Sequence, residues 1–510
     1  MSNELKHSIR LHFPYTFNSN ARSTDYKDFL NKICALKINS LVYNTSFLKN
    51  NICDSFLDNK IWNSDFCKLD KAIHRYGTKL INGVDNNTNA NGFFGMQPVR
   101  MTTQALRVLN NGTANSLGHG IKIKLKNAAV RRLAEKNIKA PLEKDSWPLM
   151  FNDICFYGLN MGIGIMVVNL SIQQPGKNNL SIKFVEELQE IIYIICRNAN
   201  NNQSAELQWN DKANSTSKGL SELMAGILPQ AIGERIQLRA TNDPGNTYAY
   251  TTIASNQKLS YAERKTLIFR IARKYSDAYL PVHISEHIQY FEPFEPITHA
   301  FSLEGTVSYI DYTSYGEKIP ESIENFDKGA IKLAYAPLIL LTYAEYLFLR
   351  EMESNTTEEE LVDMRNPTTD NLNGLRSLRS ALYDFKLNFR YAQISGNTNH
   401  NLFCNYNKKA LESDKILKEI SSDMQEIEQY ISDQVSLKQE ARLKKYGFLA
   451  SLFAVIIGWV EIWGLSLNEI LFFQDTVNKQ SVAIFLGVLL VLCLIIYLVH
   501  KSPVENKKYE

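Results

Sequence analysis

Lysine and arginine crowd one stretch of the chain, Ile121 to Lys144, and their spacing suits a bound phosphate. Lys122, Lys124 and Lys126 alternate with Ile121, Ile123 and Leu125. In a strand this alternation sends the lysines to one face and the aliphatic residues to the other. Arg131 and Arg132 then open an expected helix, with Lys136, Lys139 and Lys144 behind them and only Glu135 and Glu143 opposing. Such a patch holds a phosphate through charge-assisted hydrogen bonds. A solvated surface face is the competing reading. Lys122, Lys124, Lys126, Arg131 and Arg132 are the candidate ligand-binding residues.

Two other patterns carry less. His283-Ile284-Ser285-Glu286-His287 has the H-x-x-E-H spacing of some zinc peptidases, and on a helix its two histidines share a face. Pro281 just upstream and the aromatic, proline-containing Tyr290–Pro296 just downstream favour a chance match, so no metal is assigned. The glycines Gly158, Gly162 and Gly164 precede an expected strand instead of following one, which fails both the dinucleotide fingerprint and the P-loop. They read as a packed turn. No catalytic triad or carboxylate pair is legible, so the chain is not expected to be an enzyme, and no bound cofactor is implied. The seven cysteines are scattered without a CxxC pair, as in a reducing cytoplasm. A net charge of +3 over 510 residues implies no direct nucleic-acid partner.

The elements that must position such residues fall into four segments. Residues 1–320 read as an α/β cytoplasmic sensor region. Its expected strands are Ser8–Phe13, Ile121–Leu125, Ile165–Ile172, Gln237–Ala240 and Val307–Tyr312. Ile182–Cys196 reads as a helix with one apolar face, its charges at Lys183, Glu186, Glu187 and Glu190. Asn-rich Asp85–Gly92 and Arg197–Gly219 read as mobile loops. Residues 321–445 read as helical. Ile331–Leu349 is apolar enough to span a bilayer, but Lys332, Pro337 and Glu345 mark it as a buried core helix. An acidic break, Ser354–Asn373, and a helix, Leu375–Ile394, follow. Leu411–Lys445 is a long helix free of Pro and Gly. Its Ile420, Met424, Ile427 and Ile431 form one seam for helix packing, and it reads as a stalk.

Residues 446–500 hold two apolar segments, Phe448–Leu467 and Val482–Val499, each long enough to cross about 30 Å of hydrocarbon. Arg442, Lys444 and Lys445 precede them, and Lys501, Lys507 and Lys508 follow in a basic tail, 501–510. Both ends are therefore expected in the cytoplasm, with the hairpin in the cell inner membrane as a multi-pass anchor. No signal peptide is expected at the N-terminus. Glu461 within the first segment is a functional candidate by default, and in a symmetric oligomer it would form a cation-favouring ring. Asn468 and Glu469 would form the outer mouth.

A cytoplasmic α/β region, a stalk helix, two C-terminal spans, a short outer loop and a basic tail together resemble the CorA family of divalent-cation channels. The resemblance covers roughly residues 330–510. The family closes its first span with a Tyr-Gly-Met-Asn-type motif, where this chain has Ile462-Trp463-Gly464-Leu465-Ser466-Leu467. Gly464 and a preceding aromatic residue are kept, while Ser466 stands where the family has Asn. Ser466 is shorter than the amide that holds hydrated Mg²⁺, so a Mg²⁺-selective filter is not expected. Some CorA-like proteins without that Asn are membrane effectors of type III CRISPR systems, and this chain resembles that group. The resemblance implies a homopentamer in the lipid bilayer and a nucleotide second messenger of the adenylated S-adenosylmethionine type. It also implies antiviral defence as the role, with a divalent metal cation transporter as the alternative. Glu461, Gly464, Ser466, Asn468 and Glu469 are the pore candidates.

Overall fold

In the computed structural model the described residues are 6–16, 34, 60–64, 68–82, 96–111, 121–125, 131, 146–159, 163–172, 182–196, 205–209, 215–216, 220, 224, 239–240, 247–274, 288–315, 319–357, 369–390, 393–462 and 487. They form a mixed sheet with helices on both faces, followed by a helical region. The strands are β1 (Lys6–Thr16), β2 (Trp62–Ser64), β3 (Met96–Met101), β4 (Ile121–Leu125), β5 (Ser146–Leu159), β6 (Ile163–Ile172) and β7 (Ala205–Trp209). Then come β8 (Ser215–Thr216), β9 (Arg239–Ala240), β10 (Tyr248–Ser255), β11 (Gln289–Phe294), β12 (Ile297–Phe301) and β13 (Gly305–Asp311). The helices are α1 (Arg75–Asn82), α2 (Thr103–Asn111), α3 (Ile182–Cys196), α4 (Tyr261–Arg273) and α5 (Glu321–Asn325). A π-helix (Phe326–Tyr335) leads into α6 (Ala336–Thr357), then α7 (Thr369–Asn388), α8 (Thr398–Ala410) and α9 (Ser413–Ile462).

The chain divides into two compact units, Met1–Asn355 with Leu378–Ser421, and Thr356–Ser377 with Ser422–Glu510. The first holds the sheet, in the order β11-β12-β13-β10-β1-β6-β5-β4-β7-β8, with β3 added on β5, β2 on β3 and β9 on β1. Only β10 and β13 pair in parallel; the other pairings are antiparallel. Gly305 opens β13 because a side chain there would come within 2.6 Å of the Ala249 carbonyl oxygen. Successive residues of β10 serve opposite faces. Ile253 packs with α3 and α4 in a cluster that includes Val185, Ile268 and Tyr309. Tyr248 instead stacks on Tyr343 of α6 and donates to Asn407 of α8 at 2.7 Å.

Local sequence explains where α4 begins and ends. Ser260 and Glu263 cap each other's backbone reciprocally, and Lys274 closes the helix in the left-handed conformation at φ 57°. The helix expected over Ile182–Cys196 is α3, but two of its charges are not on a wet face. Glu186 and Glu187 are buried, and Glu186 meets Arg270 of α4 at 3.3 Å. Likewise, the segment expected as a loop between Arg197 and Gly219 contributes β7, which pairs with β4, and β8. Gly158 pairs with Gly164 and Leu159 with Ile163, so the glycine-rich segment joins two hairpin strands.

Glu321–Ser354 is, among the described residues, the one helical stretch long and apolar enough to cross a membrane, and 67% of its most apolar window is buried inside the protein. Within it, Glu345 is 2% exposed and meets Lys408 at 2.7 Å and Arg390 at 2.9 Å. In the second unit Ile431 packs against Leu375 of α7, with Ile427 and Val435 beside them. That part of the expected seam has an in-chain partner. Of the expected first span, Phe448–Leu467, α9 covers the residues up to Ile462. The rest of it, Asp85–Gly92 and His283–His287 lie outside the described residues, as does Val482–Val499 apart from Gly487.

Candidate functional site

Five adjacent strands set two rows of residues across one face of the sheet. Arg100 of β3 pairs with Cys155 of β5, Cys155 with Val167 of β6, and Val167 with His12 of β1. In the next row Asp153 pairs with Asn169, Asn169 with Arg10, and Arg10 with Tyr250. A bulge between Phe151 and Asp153 brings Asp153, and not Asn152, opposite Asn169. Such bulges re-aim side chains beside functional sites.

These rows floor a cavity of about 430 Å³. Its roof is the π-helix, through Lys328, Gly329, Lys332 and Leu333, together with Pro337 and Leu340 of α6. A ten-residue π-helix is unusual, since most π segments are single turns and many mark functional positions. The Asp70 N–H donates to the Leu333 carbonyl at 2.9 Å, which ties the segment bearing Lys68 to this roof. Gly329 faces open space, so the roof leaves room above the floor.

The lining is strongly cationic. Arg10, Lys68, Arg100, Lys328 and Lys332 face one carboxylate, Asp153. Asp153 is engaged by Arg100, and Cys155 Sγ lies 3.7 Å from it. Lys328 meets Glu324 at 3.0 Å. Arg10 differs from the rest because it is set into the floor. Its guanidinium carbon lies 5.8 Å from the Tyr250 ring centre, and its Nη1 is shut off from solvent with no hydrogen-bond partner. Burial pulls its proton affinity below the ordinary arginine value, and Tyr250, Asp153 and Tyr157 oppose that. A buried guanidinium nitrogen with no acceptor is costly.

His12 adds a neutral edge to the floor. Burial is the main cause that lowers its pKa to about 4, with Arg10 and Lys274 contributing, so it is uncharged near neutral pH. Its Nδ1 lies 3.1 Å from the Tyr248 carbonyl oxygen, so Nδ1 carries the proton and donates. In a second cavity, of about 480 Å³, Arg273, Arg350 and Lys415 each have a carboxylate partner.

The basic stretch read from the sequence lies elsewhere on the sheet. β4 meets β5 at Ser146–Pro148, before the cavity-lining residues of that strand. Ile123 is buried and Lys124 exposed, as alternation requires. The ladder sets Glu206 of β7 directly opposite Lys124, an acidic neighbour hidden in the segment expected as a loop. Lys122 belongs to the same strand and Arg131 is exposed; Lys126 and Arg132 lie outside the described residues. Glu461 falls in the last turn of α9, while Gly464, Ser466, Asn468 and Glu469 lie outside the described residues. Arg10 was not singled out from the sequence. Its one signal is the alternation Ser8, Arg10, His12 along β1, which becomes unusual only once β1 is known to be paired on both sides. No family model and no curated protein matches the chain.

Proposed function

We propose that the chain is a ligand-gated membrane effector of antiviral, type III CRISPR-like defence. In this reading the sheet unit binds a nucleotide second messenger and the apolar C-terminal segments act on the bilayer. The observation that carries the sensor half is the buried, unpartnered Nη1 of Arg10 at the floor of a cation-rich cavity. Cavities of this size take small ligands, and a guanidinium with free donors suits a phosphate oxygen. The membrane half rests on the two apolar segments of the sequence and on α9. That helix runs from Ser413 to Ile462 without a break and enters the first of them. The layout's resemblance to CorA-type effectors supplies the biological setting, the homopentamer and adenylated S-adenosylmethionine as the first ligand to try.

Ligand biases such a device only if it binds the two membrane states unequally. Arg10→Met should therefore abolish ligand-dependent toxicity in a host cell while leaving membrane insertion intact. Truncation after Lys445 should abolish toxicity while leaving binding intact. Toxicity that persists in the truncated chain contradicts the reading. The second reading, a divalent metal cation transporter, keeps the same membrane layout. Ser466 in place of the family's Asn weighs against Mg²⁺ transport, and rescue of a Mg²⁺-uptake-deficient strain would favour it.

A further inference from the structure

The charges around the cavity go further than a generic nucleotide. Of its five cations, Arg100 is matched by Asp153 and Lys328 by Glu324. Arg10, Lys68 and Lys332 have no carboxylate partner among the described residues. They stand on three different elements, β1, the segment before α1 and the π-helix, and converge on one space. That space has a buried donor at its floor and two lysines at its rim. Leu333, Pro337 and Leu340 make the rest of the roof apolar and offer a surface for a base.

Resting on the sensor reading above, we propose that the ligand is a nucleotide bearing two or more phosphate groups and no compensating positive charge. A phosphate oxygen accepts from the Arg10 guanidinium at the cavity floor, further phosphates lie between Lys68 and Lys332, and the base packs on the apolar part of the roof. A ligand cation such as a sulfonium meets no free carboxylate among the described lining residues. Asp153, the one lining carboxylate among the described residues, is engaged by Arg100, and like charges brought together in an enclosed site disfavour binding. Lys332 on the π-helix then closes the roof over the phosphates.

The test is calorimetric titration of the full chain in detergent with four probes: ATP, a 5′-phosphorylated triadenylate, inorganic triphosphate and adenylated S-adenosylmethionine. One of the two phosphorylated nucleotides is expected to bind at least tenfold tighter than adenylated S-adenosylmethionine and at least tenfold tighter than triphosphate. Because Arg10 Nη1 is buried in the floor, Arg10→Met is paired with Lys332→Glu at an exposed position. Each variant should weaken the preferred nucleotide at least tenfold, with the circular dichroism spectrum unchanged for Lys332→Glu. Tighter binding of adenylated S-adenosylmethionine, or an unaltered affinity in Lys332→Glu, overturns this ligand class and leaves the sensor reading standing. Triphosphate binding as tightly as the nucleotides overturns the base contact and hence the nucleotide assignment. Binding of none of the four overturns both this inference and the sensor reading.

Discussion

Two apolar helices in this chain carry similar residues and answer to different surroundings. α6, with the π-helix before it, buries Leu338, Ile339, Leu341 and Phe348 within the sheet unit, and Phe348 stacks on Phe385 at 4.1 Å. Its one acidic side chain at the centre, Glu345, is held by Lys408 and Arg390. The end of α9 is the reverse case. Phe448 is 58% exposed and Val455 69%, and Phe453 and Ile457 are also exposed. Apolar length alone does not separate a core helix from a membrane segment. What separates them is whether the protein supplies the partners: side chains to cover the apolar face and opposite charges for each buried ion.

The comparison breaks most readily at Glu345. Glu345→Ala leaves Lys408 and Arg390 facing each other without their shared carboxylate, and should cost about 3–5 kcal/mol of unfolding free energy. Urea unfolding followed by tryptophan fluorescence reads this, and a stabilised variant would mean α6 is not a core helix. Next comes the seam of α9. Ile431→Ala removes a fully buried side chain packed on Leu375, and about 2–5 kcal/mol should be lost from the second unit. A loss below about 1 kcal/mol would show that α7 does not cover this seam.

Acid should single out the sheet unit. Burial lowers His7 and His12 to about 4 and His299 to about 3, against about 6.5 in an unfolded chain. Below about pH 6.5 the unfolded state takes up protons that the folded state refuses, so stability falls as pH drops, and the loss levels off near the folded values. At the acid limit His7 and His12 each account for roughly 3 kcal/mol and His299 for roughly 5 kcal/mol. Replacing His299 with Gln should make the pH dependence of the urea midpoint shallower, and an unchanged slope would remove His299 from this account. The smallest effect on folding belongs to the exposed end of α9. Phe453→Ser should alter unfolding free energy by less than about 0.5 kcal/mol while releasing part of the chain from membranes in a flotation assay. A large loss of stability would mean that Phe453 packs inside the protein.

Much of the fold was legible where one face decides. β4 and α3 occupy the spans read from alternation and helical spacing, and Lys332, Pro337 and Glu345 mark Ile331–Leu349 as a mostly buried helical stretch. Periodicity was less able to say which charges are wet. Glu186 and Glu187 sit on α3 among residues that read as its polar face, yet both are buried, and Glu186 meets Arg270 of α4. β7 was hidden in an Asn-rich stretch because five residues give little alternation to read. The cavity was illegible for a different reason. Arg10, Lys68, Arg100 and Lys332 are far apart in sequence and meet only through strand order and a bulge at Asp153. The dense cluster from Lys122 onward drew notice because local density is what a sequence displays, whereas convergence on a buried donor is not.

The most direct test reconstitutes the full chain in dye-loaded phospholipid vesicles and measures dye release as nucleotide is titrated. Ligand-dependent release is expected, with Arg10→Met requiring at least tenfold more nucleotide for half-maximal effect. Release that ignores the nucleotide, or saturable nucleotide binding with no release, would contradict the account.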